Sequence, residues 1–304
     1  MSLKFTVILP TYNRPHWVER AIASVCAQDY THWELCIIDD GSEPAYTLPD
    51  ALHDPRIRLI RQANEGPSAA RRRGIASATG EVLCFLDDDD RYLPDHLRVL
   101  AALYSGDQTV YCTGMYTERL GIRRRDELLP SGQILPIYWN RPRNLLSFGI
   151  PAAIARVYPF PLHTSPIEDF EWLVTLLAHC ALVSAPRFTT VYSLHTTNRS
   201  STLTARDWLY AREQVVHRLA DQPAVRGYLT SSMIHRQLTH QRLHWTRQCL
   251  RTGQWEDARW GLRRAFRQAG PASGKEFAYT LLTGVRTLFR YMRSRPPGGN
   301  PTPP

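Results

Sequence analysis

The chain has 304 residues, 43% of them hydrophobic, which is enough to build a full hydrophobic core in one or two domains. No run of 18 or more apolar residues occurs, and Met1 leads straight into a predicted strand, so we expect neither a membrane span nor a signal peptide. The net charge of +9 is unevenly distributed: residues 205–304 contain 17 basic and 6 acidic residues, whereas residues 1–204 contain 20 and 22.

Apolar segments rich in β-forming residues alternate with helical patterns along the first part of the chain. After the first segment, Pro15 can occupy the first turn of a helix, and apolar residues recur at helical spacing as far as Cys26. Such alternation is typical of an α/β protein with a mostly parallel sheet covered on both faces. The predicted strands are Lys4–Leu9, Leu35–Ile38, Ile57–Ile60, Val82–Leu86, Thr109–Thr113 and Arg187–Leu194, and further helices are predicted for Pro67–Ala78 and Pro94–Tyr104.

Four consecutive carboxylates, Asp87–Asp90, follow the apolar strand Val82–Leu86. Their mutual repulsion is costly unless a cation relieves it, and ligands of α/β proteins bind beyond the carboxyl ends of the strands. Oxygen ligands favour Mg²⁺ or Mn²⁺, which commonly serve phosphates. Most acidic runs are solvated loops, but this one leaves a buried strand and turns through Tyr92-Leu93-Pro94 into a helix. We therefore predict a cation site here.

Six short motifs follow one another over about 110 residues: Pro10-Thr11-Tyr12-Asn13-Arg14, Ser24-Val25-Cys26-Ala27-Gln28, Asp39-Asp40-Gly41-Ser42, Asn64-Glu65-Gly66, Ala70-Arg71 with Gly74, and Gly80-Glu81 before Leu86-Asp87-Asp88-Asp89-Asp90. In their order and spacing the chain resembles the family 2 glycosyltransferases of the GT-A fold, with weaker similarity as far as about Ser201. The resemblance implies a Rossmann-like, mostly parallel sheet with helices on both faces. It also implies that a nucleotide-diphosphate sugar binds between the first strands and the Asp-x-Asp motif.

The resemblance implies that the segment after the first strand, together with Asp39, holds the base and ribose, and that Asp39 accepts a hydrogen bond from a uracil N–H. Asp40 and Gly41 are interpreted as turn formers. Arg71 matches a family arginine at a helix start, where N–H groups favour anions, and fits either a pyrophosphate contact or a surface ion pair. Arg72 replaces the usual asparagine and is interpreted as solvated. The implied donor-binding residues are Pro10, Thr11, Tyr12, Asn13, Arg14, Asp39, Asn64, Arg71 and Asp88.

The resemblance further implies a divalent cation, Mn²⁺ or Mg²⁺, that neutralises the leaving nucleoside diphosphate as a Lewis acid. Its implied ligands are Asp87 and Asp89. His195 matches a histidine that completes the site in many GT-A enzymes, and a purely structural histidine is an equally weighted alternative. For Asp88 and Asp90, ribose binding, hydrogen bonding to neighbours and exposure to water all remain open.

A general base is needed to deprotonate the acceptor hydroxyl, and the family usually places it on the aspartate of a Glu-Asp pair. Glu168-Asp169 occupies that position. Ser165-Pro166-Ile167-Glu168 is also a helix-starting capping box, which explains Glu168 as a cap or an acceptor contact. We assign the base to Asp169, because a first-turn acid gains only about 0.3–1 kcal/mol from the helix dipole. The same helix N-terminus is expected to lower the pKa of Asp169.

Two further regions bear on the acceptor and on location. The segment Tyr116–Thr164 is expected to form loops over the site that select the acceptor. After Ala205 the pattern is helical, and Gly253-Gln254-Trp255 separates two helices. Apolar residues from Phe277 to Met292 alternate with arginines. This pattern is typical either of an amphipathic helix on anionic lipid or of a helix packed on the catalytic domain. The excess of basic residues in 205–304 favours the lipid surface. Residues 295–304, rich in Pro and Gly, are expected to be disordered.

The sequence thus predicts a GT-A catalytic domain over residues 1–204, a basic helical region over 205–294 and a disordered tail over 295–304. We predict a metal-dependent, inverting transferase of the hexosyltransferase type that moves a sugar from a UDP-sugar to a glycan or lipid-linked acceptor, as in cell-surface polysaccharide synthesis. The alternative is a non-catalytic nucleotide-sugar or glycan-binding protein of the same fold. A nucleic-acid partner is not expected, because the C-terminal arginines accompany apolar helical stripes and no nucleic-acid motif occurs.

The cysteines bear on the compartment of the protein. They lack metal-ligand spacing and lie mostly among apolar residues, as reduced core cysteines do. We therefore expect a cytoplasmic protein, either free or bound peripherally to the inner face of the cell membrane. The six cysteines are Cys26, Cys36, Cys84, Cys112, Cys180 and Cys249.

Overall fold

The structure is a computed structural model that describes residues 2–162, 167–195 and 204–267, together with the single positions Ala278 and Leu282. Its contacts divide the chain into two compact units, residues 1–198 and 199–304. Within the described residues, the first unit is built around a nine-stranded mixed sheet and the second consists of helices. None of the helices in these ranges is both long and apolar enough to cross a membrane.

The strands are β1 Phe5–Thr11, β2 Trp33–Asp39, β3 Ile57–Arg61, β4 Val82–Phe85, β5 Arg91–Tyr92, β6 Thr109–Arg119, β7 Ile122–Arg125, β8 Phe148–Pro151 and β9 Ala181–Ser193. The helices of the first unit are α1 Pro15–Cys26, α2 Pro67–Ser77, α3 His96–Leu103, α4 Leu135–Asn140, α5 Ala152–Val157 and α6 Glu168–His179. Those of the second unit are α7 Ala205–Asp221, α8 Pro223–Arg226, α9 Ser231–Arg251 and α10 Trp255–Arg267. The strand order is β3-β2-β1-β4-β8-β6-β9-β5, and β7 pairs with β6.

The parallel half of the sheet consists of β3, β2, β1 and β4. Every residue of β1, β2 and β4 is buried, as expected where helices cover both faces of a parallel sheet. The register pairs Thr11 at the end of β1 with Asp39 at the end of β2, and Ile8 with Phe85 of β4. The segments after these strands therefore leave the sheet at one edge, which confirms the predicted α/β architecture.

The other half of the sheet is mostly antiparallel. Strand β8 runs antiparallel to both β4 and β6, β5 runs antiparallel to β9, and β6 and β9 pair in parallel. Because β5 directly follows the acidic run and pairs with the end of β9, the run lies close to the residues that leave β9.

Helix α2 packs closely on β1 because glycine stands at the point of contact. A Cβ atom on Gly74 would lie 2.3 Å from Cγ2 of Ile8, which is too short for any real pair of carbon atoms. The helix follows β3 and so begins at the carboxyl edge of the sheet. This close packing holds Arg71, one turn before Gly74, against that edge.

The chain between β6 and α6 is more ordered than the sequence analysis expected. Instead of loops over 116–164, it forms the end of β6, then β7, α4, β8 and α5, and β8 enters the sheet between β4 and β6. Tyr138, Trp139, Phe148 and Ile150 are fully buried here, so their burial favours regular structure. The expectation of loops is wrong for most of this segment.

The second unit is held together by a buried ion-pair cluster and aromatic packing. Glu213 of α7 accepts hydrogen bonds from Arg242 Nε and from Arg264 Nη2, each at 2.6 Å. The indoles of Trp208 and Trp245 stack with centroids 5.7 Å apart. Helices α9 and α10 flank the predicted turn at residues 253–255. The proposed amphipathic helix and the C-terminal tail lie outside the described residues, apart from Ala278 and Leu282.

Candidate active site

The acidic run lies beside β1 and the end of β9. Asp88 accepts a hydrogen bond from Thr11 Oγ1 at 2.9 Å and another from Arg14 Nη1 at 3.1 Å. The same guanidinium nitrogen lies 2.9 Å from Asp89 Oδ2, and Asp90 Oδ1 accepts a backbone N–H of β9 at 2.8 Å. All three carboxylates are buried, so the open alternative of exposure to water is wrong for Asp88 and Asp90.

Burial and mutual repulsion raise the pKa values of these carboxyl groups. The pKa of Asp88 rises to about 7, first because of burial and then because of Asp89, although Arg14 opposes the change. Burial and Asp87 raise the pKa of Asp89, and burial followed by Asp89 raises that of Asp90 well above its usual range. A further cation would therefore stabilise the run in its ionised state.

Arg71 connects the acidic run to α6. It is 7% exposed; its Nη2 donates to Asp87 Oδ1 at 2.7 Å and its Nη1 to Glu168 Oε1 at 3.1 Å. Burial alone would lower the pKa of Arg71, but Asp87 and Glu168 more than offset burial and raise it. The alternative of a surface ion pair is wrong, because these contacts form a buried network. The network joins the Asp-x-Asp motif to the Glu-Asp pair.

The start of α6 differs from the predicted capping box. The first helical residue is Glu168, preceded by Ile167, whose apolar side chain cannot cap the helix. Ser165 and Pro166, where the predicted box begins, lie outside the described residues. Because Glu168 is buried and ion-paired, its contact with Arg71 accounts for its position.

Asp169 lies in the first turn of α6 and is half-buried. Its Oδ1 accepts the backbone N–H of Phe170 at 2.8 Å. Burial, followed by the neighbouring Glu168, raises the pKa of Asp169 to about 6, although Arg71 opposes the change. The expectation that the helix N-terminus lowers this pKa is wrong, because the cost of burying the charge exceeds the stabilisation by the helix dipole.

His195 directly follows β9 and contacts both the acidic run and α1. Its Nε2 lies 3.1 Å from Asp89 Oδ2. Its ring stacks on the indole of Trp17, with centroids 4.4 Å apart and planes 15° apart, and the guanidinium of Arg20 lies 5.3 Å from the same indole. No role for Trp17 is predicted from the sequence. The only feature of the sequence that could have indicated a role for Trp17 is its position, as an aromatic residue in the helix that follows the first motif.

An open cleft of about 790 Å³ lies beside the carboxyl ends of the parallel strands, within the size range of small-molecule sites. Three predicted donor-binding residues line it, together with residues after β2 and β3 that the sequence analysis missed. Pro10 and Thr11, also predicted, are the last buried residues of β1. The residues lining the cleft include Tyr12, Asn13, Glu43, Arg61, Gln62 and Asn64.

Asp39 and Asp40 both organise the loops around this cleft. Asp39 is buried; its Oδ1 accepts the N–H of Ser42 at 2.9 Å, and its backbone carbonyl accepts the N–H of Gln62 at 3.0 Å. Asp40 Oδ1 accepts from Gln62 Nε2 at 2.8 Å, and Asp40 Oδ2 accepts the N–H of Gly66 at 2.8 Å. These contacts explain Asp40 as a structural link between the loops that follow β2 and β3.

The donor chemistry of the site suits a divalent metal, although within the described ranges no group of three or more His, Cys, Asp and Glu side chains is arranged to hold one. Asp89 and His195 lie side by side and offer oxygen and imidazole donors, which Mn²⁺ accepts. Asp87 is 35% exposed and paired with Arg71. Because such metals often bind one or two protein ligands plus phosphates and waters, this small donor set fits the metal.

Comparison with known proteins agrees with this geometry. Residues 6–155 match the model of glycosyl transferase family 2. The putative colanic acid biosynthesis glycosyl transferase WcaA of Escherichia coli is 42% identical over 101 residues, which cover 32% of this chain and 36% of WcaA. The matches span only 16% to 36% of the length of the first curated relatives.

Solved structures extend the comparison to the whole chain. The structure of S. aureus TarS 1-349 in complex with UDP-GlcNAc gives a TM-score of 0.63 at 14% identity, covering 97% of this chain and 93% of that one. A mannosyltransferase from Pyrobaculum calidifontis, in complex with GDP-Man and Mn²⁺, gives a TM-score of 0.53 at 17% identity. This match covers 95% of this chain and 88% of the mannosyltransferase. The chain therefore has the GT-A fold, and its residues 6–155 match glycosyl transferase family 2.

Proposed function

We propose that the chain is a metal-dependent, inverting glycosyltransferase that moves a sugar from a UDP-sugar to a glycan or lipid-linked acceptor. The observation that carries the proposal is the buried contact of Arg71 with both Asp87 and Glu168. It joins the motif expected at the donor phosphates to the helix that bears Asp169. The relative WcaA is named for colanic acid biosynthesis, which supports a polysaccharide as the product class.

The cleft beside β1–β3 is the proposed donor site. Its volume suits a nucleoside, and Tyr12 offers an exposed ring on which a base can stack. Asp39 lies beside the cleft, and Arg61 Nε is 3.9 Å from Asp39 Oδ2. Arg14 and Arg71 are the guanidinium groups nearest the acidic run, so they would meet the donor pyrophosphate there.

Asp89 and His195, with Asp87, would hold the divalent metal. When bound, the metal supplies Lewis-acid stabilisation of the charge that develops on the leaving nucleoside diphosphate. Without the metal, two arginines partly neutralise these carboxylates. Arg14 Nη1 lies 2.9 Å from Asp89 Oδ2, and Arg71 Nη2 lies 2.7 Å from Asp87 Oδ1. Asp89 is buried, and burial strengthens the charge interactions of its carboxylate.

Asp169 is the proposed general base. Its raised pKa, about 6, leaves it ionised at neutral pH while making it a better proton acceptor than an ordinary carboxylate. The acceptor hydroxyl would give its proton to Asp169 as it attacks the anomeric carbon from the face opposite the leaving diphosphate. One displacement with one base inverts the configuration at that carbon.

A ligand screen tests the donor assignment. Purified chain is heated with a panel of nucleotide sugars, each with and without Mn²⁺, because a ligand that binds only the folded state raises the unfolding temperature. We expect the largest rise with a UDP-sugar plus Mn²⁺, and none in Asp89→Ala. A GDP-sugar that stabilises more would contradict the uracil assignment, and binding of every donor without consumption of any would favour a non-catalytic binding protein.

The remaining proposals concern organisation and location. We propose that residues 1–204 form the catalytic domain, that 205–294 form a basic region, and that the protein is cytoplasmic, with the segment Phe277–Met292 contacting anionic lipid. That segment lies mostly outside the described residues. Expression of residues 1–204 alone tests the boundary, which fails if this piece does not fold or bind UDP. Fractionation of cell lysates tests location, and recovery outside the cytoplasm would contradict it.

A further inference from the structure

One face of α9 carries basic side chains over most of its length. The helix has 21 residues and contains no aspartate or glutamate. Intervals of four, four, three and four residues place five basic side chains in one stripe along it. Arg247 is partly exposed, and the other four side chains are exposed. This basic face consists of Arg236, His240, His244, Arg247 and Arg251.

The groups of the basic face repel one another. Partial burial, followed by Arg247 and His240, lowers the pKa of His244. Arg212 of the neighbouring α7 and Arg251 act in the same direction. A bound anion would relieve this repulsion, since it would favour the charged form of each group.

Three of the five acidic residues in 204–267, Glu213, Asp221 and Asp257, pair with arginines that lie off the basic face. Residues 204–267 contain twelve arginines and five acidic residues, which leaves a surplus of positive charge. Glu213 binds Arg242 and Arg264 in the interior, and Asp257 is paired with Arg206. Part of this surplus lies on exposed side chains of α9, including Arg236 and Arg251.

The opposite face of α9 is already packed. Leu238, Leu243 and Cys249 are buried, and Leu243 forms a small core with Ala265 of α10. These three side chains are thus not available for insertion into a bilayer. Any contact of the basic face with lipid would be electrostatic and would occur at the surface.

We propose that the basic face of α9 binds the surface of an anionic bilayer, with lipid phosphate groups as its ligands. Its five side chains span the 16 residues from Arg236 to Arg251, or about 22 Å of helix, and form a straight row. A planar array of anions can meet all five at once, whereas a small soluble anion can meet only one or two. This surface is independent of the transferase proposal, because it uses none of the residues of the candidate active site.

Sedimentation of the full chain with phosphatidylcholine vesicles, with and without phosphatidylglycerol, tests the proposal. We expect binding only to the anionic vesicles and release in high salt, where screening shortens the range of charge interactions. The triple variant Arg236→Gln, Arg247→Gln, Arg251→Gln should bind about 100-fold more weakly, because each basic residue near the surface contributes about fivefold. A triple Arg→Lys variant at the same positions should bind as the parent does.

A matched control separates the basic face from net charge alone. Arg73→Gln, Arg119→Gln and Arg124→Gln remove three exposed arginines from the first unit, and should leave binding nearly unchanged. Equal losses in the two triple variants, or no loss in the α9 variant, would overturn the proposal. Tight binding to a soluble anionic polysaccharide or to RNA, without binding to vesicles, would overturn it as well and identify a soluble polyanion as the partner.

Discussion

Replacing Asp169 with asparagine is expected to impair catalysis and stabilise the fold at the same time. Asparagine keeps the shape and can still accept the N–H of Phe170, but it cannot take a proton from the acceptor hydroxyl. We expect donor affinity close to that of the parent protein and turnover lowered by about 10²–10⁴-fold. In the parent protein, turnover should fall about tenfold per pH unit below the Asp169 pKa of about 6, as the base becomes protonated.

The gain in stability follows from the same pKa. The pKa of Asp169 rises from 3.8 to about 6 on folding. The folded chain therefore holds the carboxyl proton of Asp169 more tightly than the unfolded chain does. The ionised group therefore destabilises the fold above about pH 6, and this cost disappears as the pH falls below 3.8. The shift corresponds to at most about 3 kcal/mol, and because Asp169 is only half-buried we expect a gain of about 1–2 kcal/mol for the variant at pH 7.

Urea unfolding at pH 7 and pH 4, with donor turnover measured in parallel, checks both effects. The matched variant is Glu168→Gln, which removes one of the two charged partners of buried Arg71 and should destabilise the fold by about 3 kcal/mol. Destabilisation by Asp169→Asn at pH 7 would refute the reasoning from burial. A turnover loss confined to Glu168→Gln would reverse the assignment of the base.

Three further outcomes are expected. Asp89→Ala should abolish transfer and Mn²⁺-dependent nucleotide binding while the circular dichroism spectrum is unchanged; retained nucleotide binding that still requires Mn²⁺ would contradict its role. Trp17→Ala should weaken Mn²⁺ binding about tenfold, as measured by electron paramagnetic resonance, because His195 loses its stacking partner. Trp17→Phe should restore most of the lost affinity. Equal Mn²⁺ affinities of Trp17→Ala and the parent protein would leave Trp17 without a positioning role. Arg242→Met should cost about 3 kcal/mol in urea unfolding by depriving buried Glu213 of a charged partner; a change below about 1 kcal/mol would count against that cluster.

The sequence could predict the sheet because its parallel strands are buried on both faces and therefore appear as uninterrupted apolar runs. The acidic run could be placed at the edge of the sheet for the same reason, since it directly follows one of these runs. The spacing of apolar residues predicts the burial of single side chains less reliably. Cys26 follows the helical spacing of its neighbours yet is exposed, because α1 ends there.

The rest of the site depends on contacts between distant parts of the chain. Arg71 and Glu168 are 97 residues apart, and nothing local to either predicts their ion pair. The pKa of Asp169 was predicted in the wrong direction, because a helix start is visible in the sequence whereas burial by distant residues is not. The stacking of Trp17 on His195 likewise requires the β9 terminus and α1 to meet in space.

The most direct test of the proposed reaction is ³¹P nuclear magnetic resonance of a UDP-sugar incubated with the full chain. With Mg²⁺ present, we expect the diphosphate signals of the donor to be replaced by those of UDP. The change should be slow when hydrolysis alone consumes the donor and faster when an acceptor is supplied. EDTA or the Asp89→Ala substitution should prevent this change. UDP formation at the same rate in EDTA would contradict the metal-dependent mechanism, and a donor that binds but is never consumed would contradict the assignment as a transferase.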